Sequence, residues 1–303
     1  MRLNKITWNP YVAFFFSLLM LTGIVTPENA MGVGKTHTYF ESLQKRLIKD
    51  GFDSARIAQL YSKPGVYFEA KGVSGFLVHR ESKLNYDQFT RKKAIKGALK
   101  YMETHQGALE RTEKEYGVDK EIITAILLVE TRLGTFLGGP SILNTLSTIA
   151  ALADPDVRDM FWKNVSKSKG VTREQLEKWA ARKSTWAYNE LKAFLTYTAQ
   201  VNMDPTAVLG SYSGAMGIPQ FMPSNVIIFA RDGDGDGRID VFNHADAITS
   251  IASYLKHYGW HPGIDRKKAY KVIYHYNHSS QYVKIILKIS DLLKPKTQIK
   301  MKP

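Results

Sequence analysis

The sequence predicts a mainly α-helical protein with at most a small β element. Two observations carry this: apolar residues recur at helical spacing in segment after segment, and no apolar–polar alternation persists long enough to build a sheet. A third observation separates the loops. Gly, Pro, Ser and Asp concentrate over residues 203–245, which read as mostly loop around one short helix. With 303 residues, 44% hydrophobic and 12% aromatic, the chain has enough apolar surface for one large domain or two lobes, the composition of a folded globular protein rather than a disordered one.

Arg2 and Lys5 precede the uncharged run Tyr11–Val25, followed by Pro27 and the small residue Ala30. That is the order of a secretory signal, so residues 1–30 are expected to direct export to the periplasm or cell envelope. Glu28 occupies a position where cleavage prefers a small residue, so an uncleaved N-terminal anchor with membrane association is the alternative expectation. Residues 31–37 read as a linker; "GVGKT" lacks both the leading glycine and the strand of a phosphate loop. There is no cysteine, which removes disulfides, thiolate metal sites, cysteine nucleophiles and a lipid-anchored cysteine. The formal charge of +14 favours a polyanionic partner; for an exported chain, cell-wall polymers and acidic lipid head groups come before nucleic acid. The blander alternative is a lysine surface that only aids solubility.

Over residues 39–61, Leu43, Leu47, Ile48, Ile57, Leu60 and Tyr61 fit two short amphipathic helices broken at Gly51. Residues 62–80, with Val66, Phe68, Phe76 and Val78 alternating, read as loop or short strands. Helical spacing resumes at Phe89 and ends at Gly117. Asp119 can cap the next helix, "VDKEIITAILLVETRLG", which Gly134 stops. Ile142–Leu152 is helical, residues 154–185 are charged and irregular, and Trp186–Gln200 is helical with Leu191, Phe194, Leu195 and Thr198 on one face. Ala245–Trp260 closes the pattern, and residues 291–303 read as a basic, solvated tail.

Glu130 follows four apolar residues near a helix C-terminus. Partial burial and the negative end of the helix dipole both disfavour its carboxylate, so its pKa is expected to be raised, as a general acid requires. For an arbitrary glutamate, pairing with Arg132 or a distant lysine is the commoner arrangement. No second carboxylate stands out; Asp154, Asp156 and Asp204 lack a distinguishing context, which suggests a single-acid mechanism. The stretch Gly210–Ser224, "GSYSGAMGIPQFMPS", offers small residues for close approach and Gln220 and Phe221 for a sugar's edge and face, or alternatively a tight packing turn. "YHYNHSSQY" (Tyr274–Tyr282) adds aromatic and polar groups, and its His275 and His278 lack the glutamate of a zinc motif.

"RDGDGDGRIDVFN" (Arg231–Asn243) reads as an EF-hand-like calcium loop. Asp232, Asp234 and Asp236 take positions 1, 3 and 5, the Arg238 carbonyl position 7, Asp240 position 9 and Asn243 position 12. Asn243 in place of the usual bidentate glutamate implies a weak, structural calcium ion, with Kd of ~0.1–1 mM. A calcium sensor would need a paired loop, and one loop is present.

Taken in order, "VETRLG", "GSYSGAMGIPQFMPS", the calcium loop, "ADAITSIASYLKHYGW" and "YNHSSQY" resemble the membrane-bound lytic murein transglycosylase B family over about residues 38–290. The resemblance implies a lysozyme-like, mainly helical transglycosylase fold. It also implies non-hydrolytic cleavage of the β-1,4 bond between N-acetylmuramic acid and N-acetylglucosamine in peptidoglycan glycan strands, leaving 1,6-anhydro ends. Carried over, Glu130 is the catalytic acid and then base. Ser211, Gln220, Phe221, Tyr254, Tyr276 and Asn277 line the glycan cleft, and Arg182 and Lys183 stand where the family has paired arginines. Lys183 lacks the planar fork of arginine. Leu133 stands where many relatives have an aromatic residue. A non-catalytic wall-binding protein and a hydrolysing muramidase are the competing readings.

Overall fold

The computed structural model describes residues 36–78, 85–165 and 170–294, which form thirteen α-helices and two short 3-10 turns. The expected signal or anchor over residues 1–30 and most of the 31–37 linker lie outside the described residues, as does the tail beyond Lys294. Among the described residues, no helix is long and apolar enough to cross a membrane.

Helices α1 (Thr36–Lys49) and α2 (Ser54–Ser62) are the expected pair, turned at Gly51 with φ +97°. Asp53 caps α2 by accepting from the Arg56 amide at 2.8 Å. Phe40, Leu43 and Leu47 bury one stripe of α1, whereas Ile48, expected on that stripe, faces outward. The segment read as loop or strand contains helix α3 (Ala70–Val78). Gly72 and Gly75 weaken its intrinsic propensity, so packing of Val73 and Ser74 sustains it, a contribution invisible to local pattern.

A 3-10 turn (Tyr86–Thr90) leads into α4 (Lys92–Thr104) and α5 (Gln106–Tyr116), hinged at His105. Gly117, at φ +70°, ends α5 where a Cβ would meet Pro262 at 2.7 Å. Helix α6 (Lys120–Thr131) buries every residue from Glu121 onward, and α7 (Ile142–Ala151) buries all of its residues, so both are central helices rather than amphipathic surface ones.

Helices α8 (Pro155–Val165) and α9 (Arg173–Gln200) correct the irregular reading of 154–185. A capping box between Thr172 and Gln175 starts α9 thirteen residues before Trp186. Leu176, Trp179, Ala180, Ala187 and Leu191 continue one buried stripe, masked in the sequence by a charged outer face bearing the Glu174–Lys178 and Arg173–Glu177 pairs.

After a 3-10 turn (Pro205–Ala207) come α10 (Pro223–Phe229), α11 (His244–His257), α12 (Arg266–Tyr276) and α13 (Ser280–Leu293). Leu293 is buried, so the domain continues past the expected boundary at residue 290. The main packing pairs are α7 on α9, α6 on α13, α5 on α11 and α9 on α10. Among the described residues, the β content reduces to isolated bridges joining Ser141 to Leu209, Gly210 to Met216, and Met216 to Phe221.

Candidate active site

Glu130 is the penultimate residue of α6 and is 5% exposed. The helix stops one residue later because Arg132 (φ 49°) and Leu133 (φ 63°) both turn left-handed ahead of Gly134 (φ 83°). Two consecutive non-glycine residues in that region cost about 1–2 kcal/mol each, so the turn must be held from outside. Thr131 holds it: its hydroxyl donates to the Ile218 carbonyl at 3.0 Å and accepts from the Gly134 amide at 3.0 Å. The end of the acid-bearing helix is thereby stitched to the small-residue loop.

Glycine is required where that loop meets the chain after α6. A Cβ on Gly138 would lie 2.0 Å from the Gly210 carbonyl oxygen, and one on Gly210 would lie 2.1 Å from that of Ala215. The backbones touch directly, and the Gly210 amide donates to Pro140 at 2.9 Å. The space beside these glycines is filled by the protein's own chain, which is the tight packing turn rather than an approach of backbone to a ligand.

The Tyr282 hydroxyl donates to Glu130 Oε1 at 2.6 Å. Burial pushes the Tyr282 and Tyr276 hydroxyls well above the usual tyrosine range, and the Glu130 carboxylate adds to it, so both remain neutral donors. Tyr276 lies parallel to Tyr282 at 6.4 Å and donates to the Pro219 carbonyl at 2.5 Å. Phe221 packs against Tyr254 and Tyr276, and Tyr254 donates to the His275 carbonyl at 2.6 Å.

The structure thus gathers Glu130, Gln220, Phe221, Tyr254 and Tyr276 around one aromatic frame. Their side chains are at most 6% exposed, so they shape the wall more than they present a face. Gln220, at φ 51°, spends its amide N–H groups on the Leu137 and Gly217 carbonyls. Asn277 is buried at the end of α12. Ser211 is half-exposed and accepts from the Ala215 amide at 3.0 Å, beside the exposed Tyr212.

Arg182 and Lys183 lie on α9. Arg182 is exposed; the Lys183 ammonium lies over the rings of Trp186 and Phe76, and burial, with Arg182 beside it, lowers its pKa to about 8. Of the other carboxylates considered, Asp156 is exposed on α8 and the remaining two are engaged. Asp204 is held by the Thr206 amide and Lys63, which bring its pKa down to about 2, and Asp154 caps the start of α8.

In the acidic loop, Gly235 and Gly237 take left-handed conformations, and Asp232 accepts from the amides of both. Asp232, Asp234 and Asp246 bring carboxylate oxygens within 4.8 Å of one another. Asp246 is 1% exposed and is fixed by the Gly233 and Asp240 amides at 2.8 and 2.6 Å. Burial raises its pKa, with Asp234 and Asp232 adding to the effect. An all-oxygen, carboxylate-rich set fits a hard cation such as calcium. Asn243 is occupied differently from the sequence expectation: its Oδ1 caps α11 through the Ala245 amide at 2.7 Å and its amide donates to Asp234. Asp236, Arg238 and Asp240 lie on the same turn, each of the two aspartates accepting from a backbone amide two residues on.

Three contributors escaped the sequence reading. Tyr282 sits in the aromatic stretch Tyr274–Tyr282 but is one of several tyrosines there. Asp246 falls three residues past the loop pattern, and Glu190 is an ordinary helix glutamate until its burial is seen. Glu190 accepts from the Ser224 amide at 2.9 Å and hydroxyl at 2.8 Å, anchoring the far end of the small-residue loop.

A family model described as "Transglycosylase SLT domain" matches residues 35–268. Membrane-bound lytic murein transglycosylase B of Escherichia coli (strain K12) is 32% identical over 169 residues, 56% of this chain; the match spans 39% of that relative's length. Soluble lytic transglycosylase SltB1 from Pseudomonas aeruginosa superposes with a TM-score of 0.67 at 23% identity, covering 84% of this chain and 98% of that one. Escherichia coli lytic transglycosylase Slt35, in a structure with calcium, superposes with a TM-score of 0.63 at 21% identity, covering 89% and 98%. The expected lysozyme-like, mainly helical transglycosylase fold is borne out. With its family model matching residues 35–268 of 303, well over half of its length, the chain belongs to the transglycosylase SLT domain family.

Proposed function

We propose that the protein is a peptidoglycan lytic transglycosylase in which Glu130 serves first as acid and then as base. The observation that carries this reading is a buried carboxyl group at the C-terminal end of α6, hydrogen-bonded by a neutral tyrosine, while Asp204 and Asp154 are tied up in other roles. Glu130 gives its proton to the glycosidic oxygen as the bond from muramyl C1 breaks. The muramyl 6-hydroxyl then bonds to C1 and returns its proton to Glu130, so no water is consumed and no second carboxylate is needed.

Ser211 and Tyr212 supply the polar and aromatic groups at the cleft mouth, while Gln220, Phe221, Tyr254, Tyr276 and Asn277 hold its wall. Arg182 and Lys183 would meet substrate only where it extends over α9. Calcium, held by Asp232, Asp234 and Asp246 with help from Asp236, Asp240 and the Arg238 carbonyl, supplies a structural clasp between the loop after α10 and the start of α11. Slt35 is described in complex with calcium, which supports that assignment. The signal-like residues 1–30 support export to the cell envelope, with the uncleaved anchor as the route to membrane association.

Digestion of purified murein sacculi followed by mass analysis tests the reading. Anhydro-muropeptides are expected from the wild-type chain and none from Glu130→Gln; ordinary reducing ends would overturn the non-hydrolytic mechanism.

A further inference from the structure

Helices α12 and α13 form a hairpin with two working faces. On the inner face Tyr276 and Tyr282 frame Glu130. On the outer face a groove of about 610 Å³ is lined by Arg266, Lys267, Tyr270, Lys271, Lys284 and Leu287. Lys284 is two positions from Tyr282, about 200° around the helix at ~100° per residue, so the groove lies on the opposite side of α13 from the acid.

Its lining contains four cations and no carboxylate. Arg266 pairs with Asp291 at 2.9 Å, but among the described residues Lys267, Lys271 and Lys284 make no ion pair. Like charges gathered around one depression repel, and the arrangement is relieved by an anion that bridges them. Tyr270 and Leu287 also line the depression, so it suits an anion that brings apolar atoms with it. A flat lipid surface would meet projecting groups, whereas a groove between two helices admits a narrow extended chain.

We propose that this groove binds the carboxylate-bearing peptide stems of peptidoglycan, as a site separate from the cleft beside Glu130. It rests on the peptidoglycan reading above. A stem is a short peptide of small apolar and acidic residues, so its carboxylates meet the lysines while its methyl groups lie on Tyr270 and Leu287. Stems of a neighbouring strand, held on the back of the hairpin, would keep the enzyme on the wall between cuts.

The test uses full-length Glu130→Gln protein, which binds without turnover, beside the same chain carrying Lys267→Glu, Lys271→Glu and Lys284→Glu. Each is sedimented with native sacculi, with sacculi whose carboxylates have been amidated, with glycan strands stripped of stems, and with phosphatidylglycerol vesicles. The charge-reversed chain is expected to bind native sacculi at least fivefold more weakly, and amidation is expected to bring the parent down to the same level. Both chains should bind stripped strands equally. Equal binding of native sacculi by the two chains, or indifference of the parent to amidation, overturns the proposal, as does a loss confined to vesicles, which would make the groove a membrane contact. If neither chain sediments with any sacculus or strand, the peptidoglycan reading itself falls. Should charge reversal lower the melting temperature, Lys267→Gln, Lys271→Gln and Lys284→Gln carry the same comparison.

Discussion

The Tyr282 hydroxyl and Glu130 Oε1 meet at 2.6 Å although 152 positions separate them in the chain. The contact joins α13 to the end of α6 and gives the buried carboxyl a neutral donor that stabilises its ionised form. Its loss has two expected effects. Tyr282→Phe should lower kcat about 10- to 100-fold, corresponding to a hydrogen bond to a charged group of about 1.5–3 kcal/mol, with little change in KM. With the donor gone the acid form is favoured, so the alkaline limb of the rate–pH profile should move to higher pH. A variant with wild-type kcat and profile would remove Tyr282 from the mechanism.

A side chain on Gly138 would strike the Gly210 backbone, and one on Gly210 would strike the Ala215 carbonyl and Ile142. Gly210→Ala should therefore destabilise the fold by about 1–3 kcal/mol, and Gly138→Ala by more, because its φ of +106° adds conformational strain. Denaturant titration measures both. A Gly210→Ala protein as stable as wild type would mean that the loop relaxes between residues 210 and 215.

Glu190 anchors Ser224 from α9, and burial raises its carboxyl pKa above the ordinary 4.5 despite the opposing bonds from Ser224. The folded protein thus holds this proton to higher pH than the unfolded chain does. The associated stability is fully present below about pH 4.5 and is lost as pH rises through the folded midpoint. Glu190→Gln should flatten that segment of the stability–pH curve. Glu190→Ala should cost about 2 kcal/mol at every pH, because the Ser224 amide at the start of α10 loses its acceptor. Thermal melting of the three proteins between pH 4 and 8 checks both statements; parallel curves for wild type and Glu190→Gln would refute the first.

Local pattern made much of this architecture legible, and its failures have physical causes. The α1–α2 pair, α7, α11 and the glycine-ended α5 follow directly from spacing and caps. Helix α3 was hidden because its glycines lower propensity and its support comes from packing. The first half of α9 was hidden because its charged face outweighs the buried stripe of Leu176, Trp179 and Ala180. At the site, Glu130 was legible as a lone acid ending an apolar run. What held it was not: Tyr282 and Thr131 act through contacts across 152 and 87 positions, a range at which single-sequence spacing carries no information. Asp119 shows the same limit. It occupies the expected cap position, yet its carboxylate accepts from the Trp260 indole at 3.1 Å instead, and Glu113 takes the Lys120 amide.

Asp246 distinguishes a clasp built by the loop alone from one completed by the next helix. An EF-hand reading that ends at Asn243 makes position 12 the weak ligand, and Asn243→Ala should then abolish what binding there is. In the structure Asn243 Oδ1 is committed to the α11 cap, while the buried Asp246 carboxylate lies with Asp232 and Asp234. Asp246→Asn should accordingly weaken calcium binding at least tenfold in titration calorimetry, and Asn243→Ser, which can still cap, should change it less than threefold. For a Kd near 1 mM, 10 mM calcium should stabilise the wild-type fold by about 1.4 kcal/mol and the Asp246→Asn fold by a small fraction of that. Acid should mimic the mutation, since the raised Asp246 carboxyl takes up a proton before an ordinary aspartate does and calcium needs it ionised. Binding that survives Asp246→Asn but not Asn243→Ser would return the ion to the loop alone, and the tie between the loop and α11 would have to come from the amide bonds of Gly233 and Asp240.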